Sequence, residues 1–269
     1  MGAIPGVVPR GATGRRDLSY VPFSVPSWKW WCRRNGLDLV LLEHPVPGPL
    51  ADAPPPIQRW QAARDMLCRM PARSQVTVVD ADTIVRWDSP NFFDLVAEEV
   101  GAVHAGTRRW LQKSLDAYSI FFPGVSLDWR RCFNSGLVVL SGRHVAILDR
   151  LLAFYAANRR VLEMMQAAND IGVDQTLLNY FVHTSGEPIK FLEPAFNVMR
   201  CCELPPHLIM RFEVKREGNL DQLSQALADA PEAFDFVDAG YVWHFTTTIA
   251  TRAAAMRETW RRVQHHYSD

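Results

Sequence analysis

Val76-Thr77-Val78-Val79-Asp80-Ala81-Asp82 is the stretch on which the reading of this chain turns. Its first four residues are all β-branched, the composition of a short buried strand. The strand runs directly into two aspartates separated by one residue. Burial cannot neutralise two such carboxylates without great cost, so they call for a cation. A hard divalent ion, Mg²⁺ or Mn²⁺, accepts carboxylate oxygens and keeps positions open for phosphates. Asp also favours turns, and an Asp-x-Asp alone does not separate a metal site from an ordinary acidic loop.

Working outward from this strand, the upstream residues predict a strand within Ile4 to Val8, a helix over Ser27 to Asn35 and a strand over Leu37 to Glu43. After a Pro-rich loop, Ile57, Trp60, Ala63, Met66, Leu67 and Met70 fall on one face of a helix that Pro71 ends. Downstream, Asp88-Ser89-Pro90 opens a helix through about Ala97, and Phe133 to Leu140 is a second apolar run. Helices are then expected from His144 to Ala157 and from Asp174 to His183, with strands at Ile189 to Leu192 and Tyr241 to Thr246 and a basic helix at the C-terminus. The region Glu203 to Asp238 gives no clear pattern. Strands alternating with helices imply a single α/β domain with a mostly parallel sheet and ligands at the carboxyl ends of its strands.

The bulk composition narrows the partners. At 269 residues and 48% hydrophobic, the chain can bury a substantial core. Lys plus Arg and Asp plus Glu both total 29, so no global field draws it to nucleic acid or an anionic membrane. Cys32, Cys68, Cys132, Cys201 and Cys202 form an odd set without C-x-x-C spacing, against a disulfide framework or zinc knuckle. A reduced, cytoplasmic setting is expected. No apolar run approaches the roughly 20 residues of a membrane span, and Pro5, Pro9, Gly11 and Gly14 interrupt any signal core. Membrane contact, if present, is expected to be peripheral.

Four landmarks in order, Val76 to Asp82, Phe133-Asn134-Ser135-Gly136-Leu137-Val138-Val139-Leu140, Asp174-Gln175-Thr176-Leu177-Leu178-Asn179 and Trp243-His244-Phe245, resemble those of GT-A glycosyltransferases. The resemblance is to the glycogenin-like and galactosyltransferase-like, family 8-type group, and it spans roughly Val76 to Phe245. It implies a GT-A fold, with a nucleotide-binding half over 1–100 and an acceptor-binding half with a C-terminal helix over 101–269. The implied activity is transfer of a sugar from a nucleoside diphosphate sugar, with UDP the expected carrier, to an acceptor hydroxyl, with retention of configuration.

The resemblance assigns Mn²⁺ or Mg²⁺ to Asp80, Asp82 and His244, with Asp82 the more direct ligand and Asp80 shared with the ribose. It places Asp174 and Gln175 near donor sugar and acceptor. Asn134, Ser135 and Gly136, like Ala81 within the acidic motif, are assigned to the donor site, since Gly lets backbone approach a ligand and the neighbouring groups can read hydroxyls. Each has a plainer reading: His244 as a satisfied core histidine, Asp174 as an acid at a helix N-terminus, Asn134 to Gly136 as a turn into a strand.

The chain departs from the group after His244-Phe245. A Gly and a Lys-Pro-Trp segment are usual there, whereas this chain continues Thr246-Thr247-Thr248-Ile249-Ala250-Thr251-Arg252. Arg252 is the expected substitute as a phosphate clamp, because guanidinium binds phosphate bidentately. A solvated helix arginine beside Arg257, Arg261 and Arg262 is the competing description. Tyr20 and the loop Pro9 to Arg16 are candidates for the nucleotide base, while Trp28, Trp30 and Trp31 read as core.

Other activities share parts of this pattern. A haloacid-dehalogenase-type phosphatase places Thr or Val two residues beyond its second Asp, and here Thr83 follows Asp82 directly, with Ile84 at the expected place. A sugar-nucleotide nucleotidyltransferase could use the Gly- and Arg-rich segment Gly2 to Arg16, which lacks orderly G-x-G spacing. A sugar-nucleotide-binding protein with little turnover is the non-enzymatic alternative, favoured by the missing lysine and disfavoured by three metal-competent side chains.

Overall fold

In chain order the elements are β1 (Gly2–Gly6), α1 (Val21–Arg34), β2 (Asp38–Leu39), α2 (Pro55–Arg69), β3 (Gln75–Asp80), β4 (Thr83–Val85), β5 (Val100–His104), α3 (Arg108–Tyr118), β6 (Phe133–Ser141), α4 (Val145–Asn169), α5 (Gln175–Ser185), β7 (Ile189–Phe191), α6 (Phe236–Ala239), β8 (Val242–His244) and α7 (Ile249–Val263). The computed structural model describes residues 2–6 and 18–268, apart from 107, 170, 173, 200–224, 226–233 and 247–248. The loop from Pro9 to Arg16 therefore lies outside the described residues, as does most of Glu203 to Asp238. The chain forms two compact units from interleaved segments. Met1–Gly11, Val40–Val79 and Phe92–Glu193 make the first; Ala12–Leu39, Asp80–Asn91 and Pro194–Asp269 make the second.

The first unit is a sheet in the order β1-β3-β6-β5-β7 with helices packed on it. The β-branched run behaves as expected, with Gln75 to Val79 of β3 all buried. Strand β6 lies antiparallel to both β3 and β5, while β5 and β7 are parallel. The α/β class stands, and the sheet is mixed around β6. Ile57, Trp60, Ala63 and Leu67 of α2, Val76 and Val78 of β3, Leu148, Leu151 and Tyr155 of α4, and Leu177 and Leu178 of α5 join one apolar core.

In the second unit β4 and β8 form a two-stranded antiparallel ladder against which α1 packs. Trp28 and Trp31 of α1 are fully buried, and Trp31 donates its Nε1–H to the Ser89 carbonyl at 3.0 Å. Ala254, Met256 and Thr259 of α7 are fully buried too.

Several boundaries differ from the sequence reading for local reasons. Helix α1 begins at Val21, because Pro22 is tolerated in a first helical turn and Pro26 within the helix hides that start. Strand β2 stops after two residues; Pro45 and Pro47, just beyond, have no N–H to give a ladder. The helix expected after Asp88 is a single 3₁₀ turn, Phe92–Leu95. Helix α4 continues twelve residues past Ala157, carried in part by the Arg159–Glu163 pair at 2.8 Å one turn apart.

Gly101 sits in the middle of β5, opposite Val139 of β6. A Cβ there would lie 2.5 Å from Val96 Cγ2 and 3.0 Å from Val139 Cβ. Gly101→Ala is expected to cost about 1–3 kcal/mol of unfolding free energy. Chemical denaturation reads this directly, and an unchanged midpoint would show that the strand yields without cost.

Candidate active site

Asp80 ends β3, and the turn through Ala81 and Asp82 returns the chain into β4. Thr83 closes that turn: its hydroxyl donates to the Asp80 carbonyl at 2.6 Å and accepts from Trp28 Nε1–H at 2.9 Å. Strand β4 then pairs with β8 so that Thr83 faces His244, and the Phe245 amide donates to the Asp82 carbonyl at 2.9 Å. This register brings His244 to the acids, its Nε2 lying 3.3 Å from Asp80 Oδ2 and 3.4 Å from Asp82 Oδ1.

Val198 bridges Trp243 on the other side of β8 and accepts the His244 amide at 2.9 Å. Its neighbour Asn197 is thereby set with Oδ1 2.9 Å from His244 Nδ1. An amide oxygen only accepts, so Nδ1 carries a hydrogen and Nε2 is the nitrogen turned to the carboxylates.

The His244 side chain is 3% exposed. Burial opposes a charged ring, but the Asp82 and Asp80 carboxylates outweigh it and raise the imidazole pKa to about 10. The acid pair thus holds a proton on His244 where it could hold a metal ion. One ligand atom from each of the three residues lies within 4.8 Å of the others. Among the described residues this is the single group of three or more His, Cys, Asp or Glu that converges in this way. The donor set fits a divalent ion, with two carboxylates to balance its charge and an imidazole whose far nitrogen is oriented by a hydrogen-bond acceptor.

Arg252 joins this cluster. Its Nε lies 3.2 Å from Asp82 Oδ2 and donates to the Phe245 carbonyl at 2.9 Å, and its guanidinium sits 5.4 Å from the Tyr20 ring centroid. Tyr20 is 7% exposed, and burial followed by the Asp82 charge raises its hydroxyl pKa. Ala81 is buried and brings only backbone to the turn.

The remaining predicted residues meet in the first unit. Asp174 stands at the N-cap position of α5, but its carboxylate is turned away from the helix backbone and receives Arg59 through Nε at 3.2 Å and Nη2 at 2.5 Å, and Trp60 through Nε1–H at 2.8 Å. Arg59 Nη2 also donates to Ser135 Oγ at 2.9 Å. Gln175 Oε1 accepts from Asn134 Nδ2 at 3.0 Å and from the Ser135 amide at 3.1 Å, while the Gly136 amide turns back to Asn134 Oδ1 at 2.7 Å. One turn along α5, Asn179 donates to the carbonyl of Phe133 and accepts from its amide, both at 2.9 Å, tying the helix to the start of β6.

Sequence reasoning missed Arg59, Trp60 and Asn197. Trp60 was counted among the core residues of α2, and nothing local marks Arg59 or Asn197. The reason lies in the fold: Ile57 to Trp60 are all buried, which leaves Arg59 no solvated face.

Among solved structures, the chain is similar to a glycosyltransferase involved in the glycosylation of the major capsid of PBCV-1, with 12% identity, 95% of this chain and 98% of that one covered, and a TM-score of 0.53. Weaker likenesses, too low to argue from, are to the apo-form glycosyltransferase GlyE of Streptococcus pneumoniae TIGR4 (14% identity, 98% of this chain and 62% of that one, TM-score 0.46) and to galactosyltransferase LgtC in complex with donor and acceptor sugar analogues (12%, 98% and 96%, TM-score 0.44). No protein-family model matches the sequence, and no curated protein matches it. At 12% identity the first likeness speaks for the fold alone, and that fold is the GT-A type of α/β sheet.

Proposed function

We propose that this chain is a metal-dependent glycosyltransferase that moves a sugar from a nucleoside diphosphate sugar, a UDP-sugar in the first instance, to an acceptor hydroxyl. The observation that carries the reading is the convergence of Asp80, Asp82 and His244, the last 162 residues after Asp82, on a GT-A-type fold. A strand-end pair of acids alone is common; a buried histidine delivered to it in register, with Asn197 fixing its ring, is not explained by turn formation.

The residues take these roles. Asp80, Asp82 and His244 hold Mn²⁺ or Mg²⁺, which when bound supplies charge neutralisation for the departing diphosphate. Arg252 adds a fixed positive charge beside them and clamps phosphate oxygens. Tyr20 supports the Arg252 guanidinium from one side. Asp174 and Gln175 are assigned to hydroxyls of the sugars. Asn134 Nδ2 and the Ser135 amide both donate to Gln175 Oε1, so these two residues also hold that amide in place. Retention of configuration and the cytoplasmic setting belong to the same proposal and rest on the resemblance and on composition. No described helix is long and apolar enough to cross a membrane.

A panel of nucleoside diphosphate sugars, with release of the nucleoside diphosphate as readout, tests the whole reading. Turnover is expected with Mn²⁺, to be abolished by EDTA, and to fall by about 100-fold or more in Asp82→Ala. Metal-independent turnover, or an unimpaired Asp82→Ala, would remove the metal assignment. Asn197→Ala is expected to weaken Mn²⁺ binding by about 10–100-fold, measured by calorimetry without nucleotide. Arg252→Ala should leave that metal titration nearly intact while weakening the nucleoside diphosphate in the presence of Mn²⁺ by about tenfold. Equal losses in both titrations would make Arg252 a structural partner of Asp82.

A further inference from the structure

Asp174 is held in an asymmetric way. Among the described residues every donor to its carboxylate, Arg59 Nε, Arg59 Nη2 and Trp60 Nε1–H, reaches the same oxygen, Oδ2. None reaches Oδ1. The side chain is 9% exposed, and Oδ1 is not among the buried side-chain atoms that lack a partner, so the unengaged oxygen is the one that meets solvent. The two residues that do the holding are 5% and 0% exposed and adjacent in α2. Their neighbour Ile57 is fully buried, so this turn of the helix is fixed in the core.

A carboxylate that receives a guanidinium and an indole N–H on one oxygen is kept from rotating. It is a good choice to accept a hydrogen bond from a hydroxyl in one fixed direction, because a recognition group must be held to within a fraction of an ångström by its own partners.

We propose that Arg59 and Trp60 form a lock on Asp174 Oδ2 that presents Oδ1 as a fixed acceptor for one hydroxyl of the transferred sugar, with Trp60 acting as a positioning residue through its N–H. The inference rests on the glycosyltransferase reading and adds to it a residue that chooses among donor sugars. Trp60 touches no substrate. Its effect passes through the carboxylate, and a residue of that kind separates sugar recognition from nucleotide recognition.

The test is calorimetry on Trp60→Phe, which keeps an aromatic ring and removes the donor. Each donor of the panel that binds the wild type with Mn²⁺ is compared with its own nucleoside diphosphate. The expected result is an affinity for the diphosphate unchanged within about twofold and an affinity for the sugar nucleotide lowered about tenfold. In an Asp174→Ala background the same substitution should have little further effect, since the acceptor it serves has gone.

Equal weakening of diphosphate and sugar nucleotide, or no weakening of either, overturns the lock. If Trp60→Phe does not fold, Arg59→Lys decides, because lysine keeps the charge but offers a single nitrogen to Oδ2. A selective loss for the sugar nucleotide supports the lock, and a uniform loss or none overturns it. Should the wild type bind no member of the panel, the glycosyltransferase reading fails first. A wild type that binds and a lock variant that binds equally well sinks the lock alone.

Discussion

Two carboxylates that share one buried imidazole set the terms for the second unit. Asp80 and Asp82 both present an oxygen to His244 Nε2, at 3.3 and 3.4 Å, and the ring is almost fully enclosed. Like charges this close raise each other's energy unless a cation lies between them. The ladder that keeps them there is three residues long, too short to be stable alone. It is reinforced on both sides, by Val198 and Asn197 against β8 and by α1 against β4. The whole arrangement therefore works as a holder for positive charge: a proton, the Arg252 guanidinium or a metal ion can each satisfy it. A protonated imidazole must give up that proton to bind a metal ion.

The polar group around Asp174 satisfies its charge differently. Here the compensating cation, Arg59, is part of the helix that also supplies Ile57, Trp60 and Ala63 to the apolar core. A buried ion pair of this kind adds little net stability compared with apolar side chains of the same size, since desolvation takes back most of the attraction. Its value is geometric. Three donors on one oxygen, and two more on the oxygen of Gln175, remove the rotational freedom of two adjacent side chains and leave each with one end outward.

How much of this was legible depends on how local the cause is. Strand β3 and its acids could be read because β-branching and the Asp-x-Asp lie within seven residues. Helix α5 could be read from its apolar spacing, and its end is marked by Gly186 at φ 76°, the left-handed conformation that suits glycine. Strand β4 could not be read, since Thr83 to Val85 is only three residues and exists because β8, about 160 residues later, pairs with it. Arg59 illustrates the same limit. Its partner is 115 residues away, and by helical spacing alone an arginine beside a tryptophan is a surface residue. The landmarks His244 and Asp174 were reached through their resemblance to other chains, which stands in for the long-range pairing that pattern does not encode.

The missing lysine after His244-Phe245 looks at first like damage to the site, and the surroundings of Arg252 argue otherwise. Its Nε is shared between the Phe245 carbonyl and Asp82 Oδ2, and its guanidinium carbon lies over the Tyr20 ring, 5.4 Å from the centroid. A lysine ammonium at position 252 could answer the charge of Asp82, but it is a point charge without the bidentate fork that a guanidinium offers a phosphate. Helix α7 begins at Ile249, so the side chain leaves from its first turn, where the exposed backbone N–H groups also favour anions. Charge and position in the helix point the same way, and both support the proposal that Arg252 takes the part of the missing lysine.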